Sequence, residues 1–162
     1  PIIAEDLGVI TPDVEQLRDE LALPGMKILQ FAFDGSPNNP YLPENFRENA
    51  VVYTGTHDND TLCGWLKKAN EQKRTIVRRY LKLPEDTAWN VHKMAWKIIE
   101  LAWNSHAGLA VAPLQDFLLL GSSARMNFPG KPSGNWQWRV PQGALTASLA
   151  QRIYHLNYSA KR

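Results

Sequence analysis

Two short apolar runs in this chain break off abruptly into carboxylates. Ile2-Ile3-Ala4 is followed at once by Glu5-Asp6, and Ala50-Val51-Val52-Tyr53 leads through Thr54-Gly55-Thr56 to His57-Asp58-Asn59-Asp60. A buried strand that presents a carboxylate at its C-terminal end is how a β/α barrel places reactive groups at its rim. Two such strands would bring paired acids to one bond, and paired carboxylates are the working groups of glycosidic bond chemistry.

The elements needed to position these groups can be read along the chain. Ile2–Ala4 has the apolar character of a parallel strand buried on both faces. Thr11-Pro12 predicts a helix start, an N-cap with Pro at the first helical position, and Val14, Leu17 and Leu21 follow at helical spacing until Pro24-Gly25. Met26 to Phe33 predicts a second strand, running into Asp34-Gly35 and the turn-rich Ser36-Pro37-Asn38-Asn39-Pro40. Ala50–Tyr53 is the third strand. Helices are predicted from Asp60-Thr61 onward, over Glu71–Leu81, over Asn90–Ser105 with the apolar stripe Val91, Met94, Ala95, Ile98 and Ala102, and over Ala144–Leu156. Leu109–Pro113 is the fourth strand. Repeated strand–helix alternation points to α/β with about four parallel strands. Four units cannot close an eight-stranded barrel, so the expected fold is the C-terminal half of a TIM (β/α)8 barrel, an incomplete barrel occupying residues 1–162. The chain opens on Pro1, without Met, directly before an apolar run; we therefore expect a C-terminal fragment whose N-terminal part is missing.

Composition narrows the classes. At 44% hydrophobic residues the chain has the apolar content of a globular domain. A net charge of +2, with its basic residues dispersed over a helix-like segment from Lys67 to Arg79, predicts no nucleic-acid partner. No apolar run approaches the ~20 residues of a membrane span. The single cysteine, Cys63, reads as a small buried apolar residue and suits a reducing compartment. No His/Asp/Glu set has metal-ligand spacing, so neither a metal nor another cofactor is expected.

Taken together, several stretches resemble the 4-α-glucanotransferases (amylomaltase or disproportionating enzyme, glycoside hydrolase family 77). They are Ile2-Ile3-Ala4-Glu5-Asp6-Leu7-Gly8, Pro24-Gly25-Met26-Lys27, Val52 to Thr61, Leu114-Gln115-Asp116, Ala124-Arg125-Met126-Asn127 and Asn135-Trp136-Gln137-Trp138-Arg139, in the family's order. The Glu-Asp-Leu-Gly and Thr-His-Asp-Asn-Asp-Thr stretches are specific as a pair. Either alone would be weaker, because related α-amylase-type barrels also end strands in a catalytic carboxylate or His-Asp.

The resemblance implies that Glu5 is the general acid/base and that Asp58 is the carboxylate stabilising the transition state through sugar hydroxyls, with His57 beside it. It also implies sugar contacts at Asp34 and Asn127, and an α-1,4-glucan or maltooligosaccharide as substrate. The family's nucleophilic aspartate lies on an earlier strand, outside this sequence, so the fragment alone should be inactive. Three positions depart from the pattern: Glu44 stands after Tyr-Leu-Pro where His is usual, Leu119 where Gly is usual, and Ser123 where an acid is frequent. The implied activity is transfer of a glucan segment to another glucan's 4-hydroxyl, in the cytoplasm by default or in a plastid. An α-amylase-type hydrolase and a non-catalytic glucan-binding barrel domain stay open as alternatives.

Each residue also has a structural reading. Asp6 reads as a structural acid, and Asp60 and Thr61 as helix caps. Arg125 reads either as a partner to a carboxylate or as a surface ion pair. His92, His106 and His155 read as structural histidines, and Trp96 and Trp103 as core. Tyr41, Trp65, Trp136 and Trp138 are candidates for stacking on sugar rings. The alternation of Trp136 and Trp138 would place both on one side of an extended segment.

Overall fold

Apolar four-residue runs form the sheet. In the computed structural model, which describes residues 2–162, strands β1 (Gly25–Ile28), β2 (Ala50–Tyr53) and β3 (Leu109–Val111) lie side by side in that order, all parallel. The register pairs Ile28 with Tyr53 and Tyr53 with Val111. The strands therefore end level, and the loops that follow them open on one rim. Ala50, Val51 and Val52 of the central strand are buried on both faces, as a parallel strand covered above and below requires.

Among the described residues, six α-helices accompany the sheet: α1 (Pro12–Glu20), α2 (Leu62–Lys68), α3 (Glu71–Tyr80), α4 (Val91–Trp103), α5 (Leu114–Phe117) and α6 (Ala147–Ala160). α4 is the main buried helix. Its stripe of Met94, Ala95, Ile98, Ile99 and Ala102 is sealed into the core, with Trp96 and Trp103 at its edges. Asn90 caps it by accepting the Lys93 N–H at 2.9 Å. The far end is closed by α6: Trp103 Nε1 donates to Asn157 Oδ1 at 2.7 Å, and the Arg162 guanidinium donates to the carbonyls of Trp103, Ser105 and Ala107. α6 starts at Ala147, three residues later than the sequence suggests, because the Thr146 hydroxyl accepts the Leu149 N–H and fixes the start there. By contrast, the predicted apolar stripe of α1 is bare: Val14, Leu17 and Leu21 are exposed, and no α1 residue is buried.

Two expectations are corrected. The first is the strand at Ile2–Ala4, so that three strands stand where about four were expected. Residues 2–4 run beside β1, but their one ladder bond is Ala4 N–H to the Pro24 carbonyl (2.9 Å). The next donor on β1, Met26 N–H, goes to the Asp6 side chain at 2.6 Å. A carboxylate thus takes the place a backbone carbonyl would hold, and pairing stops after one bond; Ile2 is 71% exposed. The second is the Met26–Phe33 run. It stays extended only to Ile28 and then coils into a 3₁₀ turn at Leu29–Phe31, level with the point where its partner β2 ends.

Candidate active site

The first acid is placed by its neighbour. Asp6, whose side chain is 6% exposed, binds Met26 N–H with one oxygen and Arg18 Nη1 with the other, each at 2.6 Å. A side chain at Gly25 would collide with that carboxylate, so the close approach needs glycine. With Ala4 bonded to Pro24 on one side and Asp6 anchored on the other, Glu5 is turned outward onto the rim.

The second acid stands on the loop after β2. Thr54 N–H still donates to Val111 O (3.2 Å), extending the sheet by one residue. The loop then closes on itself: Asn59 Oδ1 accepts from both Thr56 N (2.8 Å) and Thr56 Oγ1 (2.9 Å). A Cβ on Gly55 would lie 2.6 Å from Gln30 Nε2, the group that donates to Asp60 O. From this loop His57 and Asp58 project side by side, Nε2 to Oδ1 3.5 Å, both half-exposed.

A third segment laces onto the loop from the far end of the chain. Arg125 donates from Nη2 to the Asp58 carbonyl and from Nε to the Asn127 carbonyl (2.7 Å). Asn127 donates its backbone N–H to His57 O (3.1 Å) and its side-chain amide to Asp58 Oδ1. Trp136 packs against the His57 ring, centroids 4.9 Å apart.

These pieces enclose one open cleft of about 920 Å³, lined among others by Glu5, Tyr41, Tyr53, His57, Asp58 and Asn59. Burial pushes the Tyr53 phenol up, and the charge of Glu5 adds to the shift. The cleft offers carboxylates from two separate segments, an imidazole, and the aromatic faces of Tyr41 and Phe31. A polyhydroxylated ring fits such a lining, its hydroxyls on the acids and its apolar face on the rings. Among the described residues, no group of three His, Cys, Asp or Glu is arranged to hold a metal ion, and no helix is long and apolar enough to cross a membrane.

The structure thus brings Glu5, His57 and Asp58 to one cleft, with Asn127 on the Asp58 carboxylate. It does not bring Asp34 there. Asp34 lies exposed in the turn after the 3₁₀ segment, its carboxylate accepting Ser36 N–H at 2.9 Å; that bond holds its carboxyl below the ordinary range.

Arg125 is neither a carboxylate partner nor a surface ion pair, since its bonds go to carbonyls. Trp136 and Trp138 do not share one side of an extended segment: Trp136 has φ +62°, which breaks the alternation. Trp65 packs on the core against Phe33 and is not part of the cleft lining. Thr61 is a cap, accepting Gly64 N–H, and Cys63 is buried with its thiol pushed up to about 11. The departures find local roles. Glu44 accepts the Tyr80 hydroxyl, and Leu119 sits at φ +55°, a backbone region that glycine enters more easily. Sequence reasoning quoted Thr54, Asn59 and Asp116 within its motifs but gave them no role; the Asn59 bonds lie within one loop and those of Asp116 to Thr54 and Leu62 join distant segments, and neither leaves a periodic signal.

Comparison with known proteins identifies a family. The sequence pattern of the 4-alpha-glucanotransferase family fits residues 1–146. The 4-alpha-glucanotransferase of Thermus thermophilus is 49% identical over 164 residues, covering 100% of this chain and 33% of the relative. That of Synechocystis is 50% identical over 96% of this chain and 32% of its own length, and the chloroplastic/amyloplastic enzyme of Arabidopsis thaliana is 49% identical over 91% and 25%. The chain therefore spans about a quarter to a third of these relatives. Amylomaltase from Streptococcus agalactiae, solved in complex with acarbose, superposes with a TM-score of 0.91 at 29% identity, over 100% of this chain and 32% of that one. Amylomaltase from Corynebacterium glutamicum, at 18% identity and TM-score 0.68, shares the fold.

Proposed function

The chain belongs to the 4-alpha-glucanotransferase family, and from that premise we propose that it is the C-terminal part of the catalytic (β/α)8 barrel of such an enzyme, acting on α-1,4-glucans. The observation that carries the reading is the common cleft: Glu5 and the His57–Asp58 pair, from segments far apart in sequence, line one opening at the level ends of parallel strands. Barrels keep their chemistry at that end.

In this reading Glu5 protonates the departing glycosidic oxygen. A carboxylate outside this sequence attacks the sugar, at the short carboxyl–carboxyl separation of about 5–5.5 Å that retention requires. Glu5, now ionised, takes the proton from an acceptor 4-hydroxyl, and the glucosyl segment is transferred with its configuration kept. Asp58 binds hydroxyls of the reacting sugar and grips them harder as positive charge develops on the ring. Asn127 Nδ2, which donates to Asp58 Oδ1, fixes the orientation of that carboxylate. His57, backed by the Trp136 ring, donates to a hydroxyl of the same sugar. The cytoplasm is the expected compartment, or a plastid, where the chloroplastic/amyloplastic enzyme of Arabidopsis thaliana resides by name.

The test is the product pattern of the full-length protein on maltotriose. Transfer gives glucose together with oligomers longer than the substrate. Glucose and maltose with no longer product would replace the transferase with a hydrolase. Turnover by residues 1–162 alone would contradict the need for a nucleophile from outside them.

A further inference from the structure

Asp116 is the most deeply buried acid near the cleft, 1% exposed, yet it is not among the residues lining the cleft and belongs to α5, beyond β3. Its two oxygens go to two different places. Oδ2 accepts the Thr54 hydroxyl at 2.6 Å, and Oδ1 accepts the Leu62 backbone N–H at 2.7 Å. Thr54 is the last residue before the loop that carries His57 and Asp58, and Leu62 is the first residue of the helix after it.

We propose that Asp116 is a positioning residue: its carboxylate staples the two ends of loop 55–61 together and so sets where His57 and Asp58 stand at the cleft. Other bonds to this loop come from Asn59 within it, from Arg125 and Asn127 near its tip, and from Gln30, Lys68 and Ser122 to Asp60 just inside its C-terminal end, and none of these groups reaches both ends. Asp116 grips both ends with one rigid planar group, so the span of the loop is fixed by the geometry of a carboxylate. Thr54 is fully buried, and a buried hydroxyl needs a partner. Leu62 N–H is one of the orphan donors of a helix start. Loss of the carboxylate would remove one bond from each end at once, leaving Thr54 N–H on Val111 O and Asp60 on Gln30, Lys68 and Ser122, and a loop shift of about 1 Å at a catalytic group costs on the order of 100-fold in rate.

The catalytic arm of the test rests on the proposed transferase reading; the structural arm does not. In the full-length protein, Asp116→Ala should lower kcat on maltotriose about 100-fold while KM moves by less than about threefold, since the sugar-binding surface remains. Thr54→Val keeps side-chain shape and removes one leg of the staple; a loss of about tenfold is expected. Asp116→Asn can still accept from Leu62 and donate to the Thr54 oxygen, and should rescue most of the loss. Hydrogen exchange of the 55–61 amides should speed up about tenfold in Asp116→Ala and Thr54→Val but not in Asp116→Asn.

Unchanged exchange and unchanged kcat in a folded Asp116→Ala protein would overturn the proposal. If that variant does not fold, the same null result in Thr54→Val overturns it. Faster exchange in these variants, together with no glucosyl transfer by the wild-type protein, would leave the staple standing and remove the transferase reading.

Discussion

The loop after β2 is tied at its base by Asp116, within by Asn59 and at its tip by Arg125 and Asn127. Glu5, across the same cleft, is placed by one backbone bond from Ala4 and by the anchoring of Asp6. The two supports suit the two tasks proposed for Asp58 and Glu5. A group that must tighten on sugar hydroxyls as charge develops gains from being fixed beforehand, because no reorganisation is then needed in the transition state. A group that gives up a proton and later takes one from a different molecule has to meet two partners, and a segment held only at its flanks, as at Glu5, suits that proposed role.

The largest effect expected from this contrast is at Glu5. In the full-length protein, Glu5→Gln should lower kcat by about 10³-fold or more, with KM little changed, because a proton donor is lost and the fold is not touched. Steady-state kinetics on maltotriose checks this; a loss under tenfold would take the acid/base role away from Glu5. Asp58→Asn should cost about 10²–10³-fold in kcat, within the range for removing one electrostatic stabiliser, while hydrogen exchange of loop 55–61 stays as in wild type.

The contrast can be sharpened from the Glu5 side by Arg18→Met. This leaves the nearly buried Asp6 carboxylate without its cation and should cost about 2–3 kcal/mol in denaturant unfolding. It should also loosen Glu5 without disturbing the Asp58 loop, so kcat should fall while the loop amides keep their protection.

The smallest effect is a pH dependence on the loop side. Burial pushes the Asp116 carboxyl up to about 6, with the charge of Asp60 adding to the shift and the bonds from Thr54 and Leu62 opposing it. The unfolded value is about 3.9. The folded state therefore binds this proton more tightly, and the associated stability is present below pH ~4 and lost as pH rises through ~6. Asp116→Asn carries no such titration. Its stability relative to wild type should rise by about 2–3 kcal/mol between pH 4 and pH 8, measured by urea unfolding at each pH. A flat difference across that range would mean that Asp116 titrates normally.

The same contrast explains what the sequence could and could not disclose. Apolar runs ending in acids located β2 and the residues of both rim segments, and helical periodicity located α4 with its buried stripe, because both patterns are local. The Ile2–Ala4 strand failed because pairing depends on a partner's donors, and one of those is taken by the Asp6 side chain. The stripe of α1 has helical spacing but nothing lies over it, so periodicity gave the helix correctly without its burial. Trp136 departs from alternation through one left-handed residue, and the Asp116 bridge joins positions 54, 62 and 116, whose relation exists only after three elements have met.

β3 has β2 on one side and no strand on the other among the described residues, and Leu109 at its start is largely open. Its outer row of N–H and C=O groups is a template for any extended chain. Residues 1–162 purified by themselves are expected to offer that row to further copies. The state of assembly of such a preparation should therefore be measured by light scattering before any of its other properties is interpreted.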